Sequence, residues 1–448
     1  MRTLFIANRG EVAVRIQRAA RGLGLATVQA CSEADVSAEY VRRADASVCI
    51  GPGPAAASYL DAGRVVLAAL AAGADAVHPG YGFLSENAAF ADKVERAGLV
   101  FVGPPASAIH TMGDKVRART FMLAAGVPCL PGSDGALPED PAACRGIAAQ
   151  IGYPVIVKAA GGGGGRGMRV VTAEADLLPS IELTRAEAKA AFANSEVYLE
   201  RYLTTPRHVE IQIVMDAYGN GVWLGERDCS IQRRHQKVIE EAPAPGVGRT
   251  MLAEVAGRCL EACQRMAYRG VGTFEFLYEN GDMFFIEMNT RLQVEHPVTE
   301  AITGIDIVEA QLRIAAGESL WFRQDDVTFS GHAIECRINA EDGATGRPSP
   351  GRIERFRAPV MKGVRVDTHV GDGYVVPPFY DSMIAKLIVH GESRAAAVET
   401  MRAALADLHI DGISTNITLH RDLLADPGFC EGGTNIHYLE TKLRKAAP

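Results

Sequence analysis

The amino-acid sequence predicts a mixed α/β and α+β protein built in three parts. Through about residue 112, short apolar strands alternate with amphipathic helices, which is typical of a doubly wound parallel sheet covered by helices. Two alternating segments with tight turns then predict antiparallel hairpins, and a strand-rich stretch closed by an alanine-rich helix follows. We therefore expect domains over residues 1–112, 113–326 and 327–448.

Composition narrows the class of protein. The 448 residues are enough for two or three domains with substantial cores. The net charge of −8, with both signs interspersed, argues against a broad nucleic-acid-binding surface. Nine cysteines without a CxxC pair indicate reduced thiols. Because the apolar runs are too short for a signal peptide or a membrane span, we expect a cytoplasmic protein without membrane or nucleic-acid partners.

The N-terminal elements follow from the spacing of apolar residues. Residues 4–7 (LFIA) predict a buried strand, and apolar positions at helical spacing from Glu11 to Leu23 predict a helix that ends at Gly24. The segments ATVQAC, VCIG and ADAVHPG predict further strands, with a helix over 59–72. The first strand is not followed by GxGxxG, so a dinucleotide site is not expected there.

A run of five glycines within KAAGGGGGRGM (158–168) is flanked by two apparent strands. A linker is one interpretation, but linkers usually carry Ser or Pro and join regions with their own cores. A strand–loop–strand element instead predicts a lid whose backbone amides can lie directly on a polyphosphate. Lys158 and Arg166 would add positive charge, so we favour the lid.

Two hairpins are predicted in the middle of the chain. HVEIQIVMD and VWLGERD form the first, and TFEFLYENGDMFFIEMNTRLQVE forms the second around an ENGD turn. If the return strand of the second hairpin stays extended, its odd positions share one face, with Met288, Leu292 and Val294 turned into the core. A solvent-exposed polar face is the alternative. The odd positions are Glu287, Asn289, Arg291, Gln293 and Glu295.

The residue types on this face suit phosphate chemistry. Glu275 on the partner strand joins Glu287 and Asn289 in offering hard oxygen ligands, which Mg²⁺ prefers beside substrate phosphates. Arg291 could clamp an anion, and Glu295 could act as a general base. A basic run within ERDCSIQRRHQKVIEEAP is either part of the site or a solvated face balanced by the acids that follow, and residue types alone leave both open.

Together these motifs resemble biotin carboxylase, the ATP-grasp component of biotin-dependent carboxylases. The resemblance extends from Phe5 to NIHYLE near the end of the chain, and its ordered set of motifs is highly specific. It implies an N-terminal Rossmann-like domain, an ATP-grasp domain with a glycine-rich lid at about 131–203, and a C-terminal biotin carboxylase domain. The matching strings are ANRGE, HPGYGFLSEN, MGDK, KAAGGGGGRGM, RHVEIQ, ERDCSIQRRHQKVIEEAP, FIEMNTRLQVEHPVTE, ECRINAED and FYDSM.

The resemblance also implies ligands for particular residues. Two Mg²⁺ or Mn²⁺ ions would be held by Glu275, Glu287 and Asn289. Bicarbonate and biotin would be contacted by Tyr81, Lys237, Arg291, Gln293, Val294 and Arg337. ATP would be contacted by Lys115, Lys158, Gly164, Gly165, Glu200, Arg201, Tyr202, Leu203, His208, Gln232, His235, Glu275 and Glu287.

The implied reaction carboxylates biotin through carboxyphosphate. Glu295 would deprotonate bicarbonate, which would attack the γ-phosphate of ATP, and the intermediate would break down to carbon dioxide and phosphate in a closed site. The phosphate would take the proton from biotin, while Arg337 stabilises the enolate-like oxygen. Lys237 and Arg291 complete the implied catalytic set, and their charges should keep Glu295 ionised.

The resemblance further implies partners. Because a biotinylation motif does not follow NIHYLETKLRK, the biotin is expected on a separate carrier protein, with carboxyltransferase subunits and a homodimeric enzyme. Acetyl-CoA carboxylase, which supplies malonyl-CoA for fatty acid synthesis, is the expected system. A pyruvate, propionyl-CoA or 2-oxo acid carboxylase is the alternative.

Two other classes of protein compete with this interpretation. Carbamoyl phosphate synthetase also phosphorylates bicarbonate, but it is much longer and internally duplicated, while simple ligases would not carry HPGYGFLSEN with NTRLQVEHPVTE. A regulatory paralogue without turnover would usually have lost an acid or an arginine. Glu275, Glu287, Arg291, Glu295 and Arg337 are all present.

Overall fold

The structure is a computed structural model that describes residues 1–160, 167–192 and 194–446. Within these ranges, the helices all fall short of the length and apolarity that crossing a bilayer requires.

The N-terminal part forms a five-stranded parallel sheet with strand order β3-β2-β1-β4-β5. The strands are β1 (Thr3–Ile6), β2 (Ala26–Cys31), β3 (Ala46–Cys49), β4 (Ala76–His78) and β5 (Val100–Phe101). The helices are α1 (Gly10–Gly22), α2 (Glu39–Arg43), α3 (Ala62–Ala71), α4 (Ala88–Arg96) and α5 (Ala106–Gly113). Leu4 packs in the core containing α1, while Phe5 packs with α3 and α4, so both sheet faces are covered as predicted.

The strand order reverses between β1 and β4, which lie side by side. The loops ANRGE and HPGYG follow these two strands, so their side chains meet at the carboxyl edge of the sheet. Asn8 joins them by donating through Nδ2 to the carbonyls of Pro79 and Tyr81 at 2.6 and 2.8 Å. This is the position in a doubly wound sheet at which ligands usually bind.

The glycine-rich run connects two hydrogen-bonded antiparallel strands, β6 and β7, in a three-stranded sheet of order β7-β6-β8. The lid strands are β6 (Val155–Ala159), β7 (Met168–Val171) and β8 (Val197–Arg201). The helices of this region are α6 (Lys115–Ala124), α7 (Pro141–Ile151) and α8 (Leu177–Phe192). Val155, Val157 and Leu199 bury a small separate core with α7 and α8. The strand–loop–strand prediction is therefore confirmed, and the linker alternative is wrong.

The largest sheet has eight antiparallel strands in the order β13-β12-β9-β10-β11-β14-β19-β17. Its first five strands are β9 (Arg207–Met215), β10 (Gly221–Arg233), β11 (Gln236–Ala242), β12 (Gly270–Glu279) and β13 (Asp282–Asn289). The helices here are α9 (Arg249–Arg265), α10 (His296–Thr303) and α11 (Ile307–Ala315). Both predicted hairpins are confirmed. Asn280 and Gly281, at the ENGD turn, have positive φ of 54° and 93°, as a type I′ turn requires.

The C-terminal part continues this sheet through pairing of β11 with β14. Its strands are β14 (His332–Asn339), β15 (Gly351–Arg352), β16 (Arg355–Arg357), β17 (Val364–Thr368), β18 (Val375–Val376), β19 (Met383–Gly391) and β20 (His409–Asp411). Its helices are α12 (Arg394–Asp407), α13 (Ile417–Ala425), α14 (Pro427–Glu431) and α15 (Tyr438–Ala446). Leu387, Met401 and Leu423 are fully buried in its core. Central and C-terminal parts thus share one sheet, which fixes their side chains relative to each other.

One expectation about the second hairpin is wrong. β13 ends at Asn289 and α10 begins at His296, so the strand does not extend to Glu295. Pro297 lies in the first turn of α10, where its fixed φ favours a helix and its missing N–H could not serve a sheet ladder. Val294 is only half-buried and lines a cavity, whereas an extended strand would have turned it into the core.

Candidate active site

A cavity of about 940 Å³ lies where the three parts of the chain meet. Its walls come from the loop after β1, the lid strands, the central sheet and β14. The cavity gathers nearly every described residue that the sequence assigned to the site. These residues are Tyr81, Lys115, Lys158, Arg201, Tyr202, Leu203, His208, Gln232, His235, Lys237, Glu275, Glu287, Asn289, Arg291, Gln293, Val294, Glu295 and Arg337.

Among the described residues, one predicted position lies apart from this group. Glu200 lines a smaller neighbouring cavity that shares Lys115 and Lys158 with the main one. The Nζ of Lys158 donates to Oε2 of Glu200, so the lid lysine remains tied to that residue. Gly164 and Gly165 lie outside the described residues.

Lys237, from β11, binds three buried carboxylates that come from different parts of the chain. Its Nζ lies 2.6 Å from Oε2 of Glu210, 2.8 Å from Oε1 of Glu275 and 2.6 Å from Oε1 of Glu295. Burial alone lowers the pKa of Lys237, but the three carboxylates more than compensate and raise it well above its ordinary value. A permanent positive charge is thus fixed beside the cavity.

Glu295 accepts hydrogen bonds through both of its oxygens. Oε1 accepts from Lys237, and Oε2 accepts from Nη2 of Arg337 at 2.9 Å. Burial alone would raise the pKa of Glu295, but the charges of Lys237, Arg337 and Arg227 outweigh it and lower the pKa below its ordinary value. The direction agrees with the expectation that Lys237 keeps this carboxylate ionised at neutral pH, but the other main cations are Arg337 and Arg227, not the expected Arg291.

Arg291 is held by an acid that the sequence reasoning did not single out. Its Nε donates to Oε2 of Glu86 at 2.8 Å, and its Nη2 donates to Oδ1 of Asn289 at 2.7 Å. The Nδ2 of Asn289 in turn donates to Glu275 at 2.8 Å. The amide oxygen of Asn289 therefore faces Arg291 in this structure. Glu86 lies within HPGYGFLSEN, but its partner is 205 residues away, which spacing along the chain does not reveal.

Glu275 and Glu287 are direct partners across the second hairpin and are the best-placed acids for a metal ion. Within the described part of the chain, the side chain of Glu287 makes no hydrogen bond or ion pair, although it is only half-exposed. Burial and then the charge of Glu275 raise its pKa. An added cation would relieve both effects, so this pair fits Mg²⁺. Two other clusters, His208–Glu210–Glu275 and Glu210–Cys229–Glu295, have the Lys237 ammonium at both of their carboxylates, whereas in the Glu275–Glu287 pair Lys237 contacts only Glu275.

The lid end of the cavity is apolar. A register shift beside Glu275 bulges β13, so that neighbouring residues Ile286 and Glu287 both reach the cavity. A strict alternation of residues between the two faces of a strand does not predict this bulge. Of the apolar wall, the sequence assigned a role only to Leu203. The lining side chains are Leu130, Ile156, Met168, Val170, Leu203, Leu277, Ile286 and Ile436. Such a wall suits a flat aromatic base.

Fold and site together define a nucleotide-dependent ligase of the ATP-grasp class. The lid hairpin and the antiparallel sheet enclose an apolar slot, and a carboxylate pair lies between that slot and a group of buried cations. The cations would bind a small anionic substrate next to the phosphates.

Comparisons with known proteins identify the family. Family models described as the biotin carboxylase N-terminal domain and the biotin carboxylase C-terminal domain match residues 1–109 and 335–441. Between them, the model of the carbamoyl-phosphate synthase L chain ATP binding domain matches residues 114–322. The chain belongs to the biotin carboxylase family, as its motifs predicted.

Individual relatives agree over almost the whole length. The chain is 59% identical to the biotin carboxylase of Pseudomonas aeruginosa, over 98% of each protein. A biotin carboxylase from Campylobacter jejuni, solved in complex with a β-γ-ATP ligand, is 45% identical with a TM-score of 0.93 and 98% of each chain covered. The biotin carboxylase domain of Hydrogenobacter thermophilus 2-oxoglutarate carboxylase was solved as a dimer with MgADP, ADP and bicarbonate. It is 46% identical, with a TM-score of 0.92 and 98% of this chain and 97% of that one covered.

The protein is accordingly a ligase that carboxylates biotin at the expense of ATP. The alternatives of a carbamoyl phosphate synthetase, a simple amino-acid ligase and a paralogue without turnover are set aside, since both flanking domains and the whole-length relatives are of biotin carboxylase.

Proposed function

We propose that the cavity activates bicarbonate with ATP and passes the carboxyl group to biotin carried on a separate protein. The residues predicted from the sequence bind the nucleotide, the metal ion, bicarbonate and biotin. The observation that carries these assignments is the shared network at Lys237. Glu295, a carboxylate of lowered pKa, accepts a hydrogen bond from the buried Lys237 at 2.6 Å and another from Arg337 at 2.9 Å. This network combines an anion-binding charge with a base.

The nucleotide is placed between the lid and the central sheet. Its base would contact the apolar wall and the segment Glu200–Leu203, and its phosphates would approach Lys115 and Lys158. His208, Gln232 and His235 line the same region of the cavity. Phosphate contacts from the amides of Gly164 and Gly165 remain a prediction.

Glu275 and Glu287 would hold Mg²⁺, or Mn²⁺, at the phosphates. A bound ion of this kind neutralises phosphate charge and orients the reacting group. Two ions and a third ligand at Asn289 remain predictions. The side-chain oxygen of Asn289 accepts a hydrogen bond from Arg291. Asn289 would therefore bind the metal ion only after the side chain of Arg291 has turned toward bicarbonate.

Bicarbonate would be bound by Arg291, Lys237, Gln293 and the backbone of Val294. As bicarbonate takes up hydrogen bonds from Lys237, the hold of that cation on Glu295 weakens. The carboxylate then becomes more basic and accepts the proton of bicarbonate. The freed oxygen attacks the γ-phosphate, the bond between the β- and γ-phosphates breaks, and carboxyphosphate and ADP are formed. The lowered pKa in the free enzyme thus keeps Glu295 unprotonated until substrate arrives.

Biotin would lie at the opposite end of the cavity, near Arg337 and Tyr81. Carboxyphosphate breaks down to carbon dioxide and phosphate, and phosphate takes the ureido proton. The deprotonated ureido nitrogen then attacks carbon dioxide to give carboxybiotin. The guanidinium of Arg337 stabilises the oxygen that becomes negative when biotin loses this proton. Its pKa is raised, because burial, which lowers it, is outweighed by the charges of Glu240 and Glu295. Arg337 therefore stays charged throughout.

The assembly proposed for the protein follows its family. Biotin arrives on a carrier protein, carboxyltransferase subunits receive the product, and the enzyme is a cytoplasmic homodimer. The division into domains at residues 1–112, 113–326 and 327–448 is supported by the matched family ranges. Acetyl-CoA carboxylase, leading to malonyl-CoA and fatty acid synthesis, is the proposed system. A pyruvate, propionyl-CoA or 2-oxo acid carboxylase is the second candidate, favoured by the resemblance to a 2-oxoglutarate carboxylase domain.

The direct test is transfer of label from bicarbonate to a biotinylated carrier protein. With ATP and Mg²⁺, the enzyme should incorporate radiolabelled bicarbonate into the carrier in an acid-labile form. An unlabelled carrier after complete ATP hydrolysis would contradict the proposal. The carboxyltransferase that copurifies with the enzyme from its own cells distinguishes the two candidate systems, because it determines whether an acyl-CoA or an oxo acid is carboxylated.

A further inference from the structure

Glu240 is a buried acid that contacts the active site through a single arginine. It lies on β11 and is fully inaccessible to solvent. Its Oε1 accepts from Nε of Arg337 at 2.5 Å, while Nη2 of the same arginine donates to Glu295. Arg337 therefore bridges the proposed base and an acid that does not line the cavity. Within the described residues, Nη1 of Arg337 makes no hydrogen bond, so it is free to meet a substrate.

The surroundings of Glu240 are unusual for a merely structural ion pair. Glu335 lies directly opposite it on β14, and burial raises the pKa of Glu335 well above its ordinary value. Among the described residues, Oε2 of Glu240 and both oxygens of Glu335 lack hydrogen-bond partners although they are buried. A core that needed only to bury Arg337 would satisfy these oxygens or replace them by apolar groups. Two incompletely satisfied acids behind a catalytic arginine therefore call for a functional explanation.

We propose that Glu240 is a positioning residue for the biotin step, holding the Nε edge of Arg337 so that its terminal nitrogens can leave Glu295 and turn to the biotin oxygen. This role of Glu240 rests on the proposed role of Arg337. Once Glu295 takes a proton from bicarbonate, it loses the charge that attracted Nη2. The guanidinium is planar and rigid, so an anchor on one edge sets the direction of the other nitrogens. Glu240 supplies that anchor.

The anchor works only while Glu240 carries its charge. Burial raises the pKa of Glu240 to about 7, with Arg337 lowering it and Glu295 raising it. Protonation below that pH would leave Arg337 attached mainly to Glu295 and turned away from biotin. The titratable and charged groups facing Glu240 are Lys237 on β11, Cys229 on β10, Glu335, Cys336 and Arg337 on β14, and Glu295 before α10. Glu295 and Lys237 have pKa values shifted away from neutrality, whereas burial raises the pKa of Glu335 well above its ordinary value. The loss of the decline near pH 7 in a Glu240 variant therefore identifies Glu240 as the group that titrates.

The test is the variant Glu240→Gln, which keeps the shape and an acceptor oxygen but removes the charge. Biotin-dependent turnover should fall roughly tenfold or more, the order expected for weakening one hydrogen bond between charged groups. The KM for ATP and bicarbonate-dependent ATP cleavage without biotin should change little. In the wild-type enzyme, biotin-dependent turnover should decline as pH falls through about 7, and the variant should lack this decline. Glu240→Asp, which keeps the charge, should restore part of the rate.

Glu226→Gln is the matched control. Glu226 is also buried, has a pKa raised chiefly by burial, and pairs with Arg249 at 2.6 Å, but it does not line the cavity. Its kinetics should match the wild type. If Glu240→Gln keeps the wild-type rate and pH profile, or loses ATP and biotin steps equally, the inference is wrong. If that variant does not fold, a wild-type profile without the decline near pH 7 contradicts the inference. Arg337→Ala, run in parallel, separates the two proposals: no effect on the biotin step would overturn the role of Arg337 itself.

Discussion

Replacing Glu295 by glutamine tests the proposed base most sharply. The wild-type carboxylate accepts from Lys237 at 2.6 Å and from Arg337 at 2.9 Å. Glutamine keeps the shape and one acceptor, but its NH₂ group must face one of the two cations. Lys237 retains Glu210 and Glu275, so the lysine stays paired after the change. The variant should therefore fold.

The expected losses of stability and of turnover in Glu295→Gln both follow from these contacts. Loss of one charge-assisted hydrogen bond should lower the free energy of unfolding by about 1.5–3 kcal/mol at neutral pH. The folded-state pKa of Glu295 is depressed, so its stabilising contribution is present above the unfolded pKa of about 4.3 and is lost as pH falls below it. The stability difference between wild type and variant should thus shrink in acid. Turnover should fall roughly 10²- to 10⁴-fold, the usual contribution of a general base.

The assay compares nucleotide binding with ATP cleavage. ATP affinity, measured by calorimetry, should be nearly unchanged, because Glu295 lies among the groups assigned to bicarbonate. ADP release that depends on bicarbonate should nearly disappear. Near-normal turnover in Glu295→Gln would remove this residue as the base, and a large loss of ATP affinity would show that its role is to organise the whole cavity.

Three further variants test other parts of the site. Arg337→Ala should impair biotin carboxylation more than nucleotide binding, and an equal loss of both, measured by steady-state kinetics, would argue against the enolate role. Glu287→Gln should raise the Mg²⁺ concentration needed for half-maximal activity by roughly 10- to 100-fold or more, because even the loss of a residue that only supports a metal ligand has an effect of that size. An unchanged Mg²⁺ titration would place the metal elsewhere. Arg227→Met should lower the free energy of unfolding by about 3–5 kcal/mol in urea titrations, because Arg227 is fully buried against Glu210 and its loss leaves Oε1 of Glu210 buried without its cationic partner. A change below 1 kcal/mol would mean that Lys237 alone balances Glu210.

Local signals in the sequence predicted the secondary structure near the site well. The ENGD turn and the alternation around it identified β12 and β13, and the strands flanking the glycines identified the lid hairpin. These features are determined by residues close together in the chain, and the spacing of apolar residues and the choice of turn residues predict them. The same period failed after Asn289, where Pro297 favours a helix, and at Ile286, where a bulge turns two successive residues toward the cavity.

The partners of the site residues could not be predicted in this way. Glu86 reaches Arg291 from the N-terminal part of the chain, and Glu240 reaches Arg337 across the sheet that joins the central and C-terminal parts. Each contact spans roughly a hundred residues or more and exists only after the parts have packed. The family resemblance supplied candidate site residues and the charge of Lys237 beside Glu295. The further partners Glu86, Glu240 and Arg227 became visible only in three dimensions.

The most direct test of the central claim is ADP release by the purified enzyme with ATP and Mg²⁺, measured with and without bicarbonate and with and without free biotin. We expect cleavage only slightly above background without bicarbonate, and the fastest release when bicarbonate and biotin are both present. ATP hydrolysis at full rate without bicarbonate, or a rate indifferent to biotin, would contradict the claim that this cavity couples ATP cleavage to biotin carboxylation.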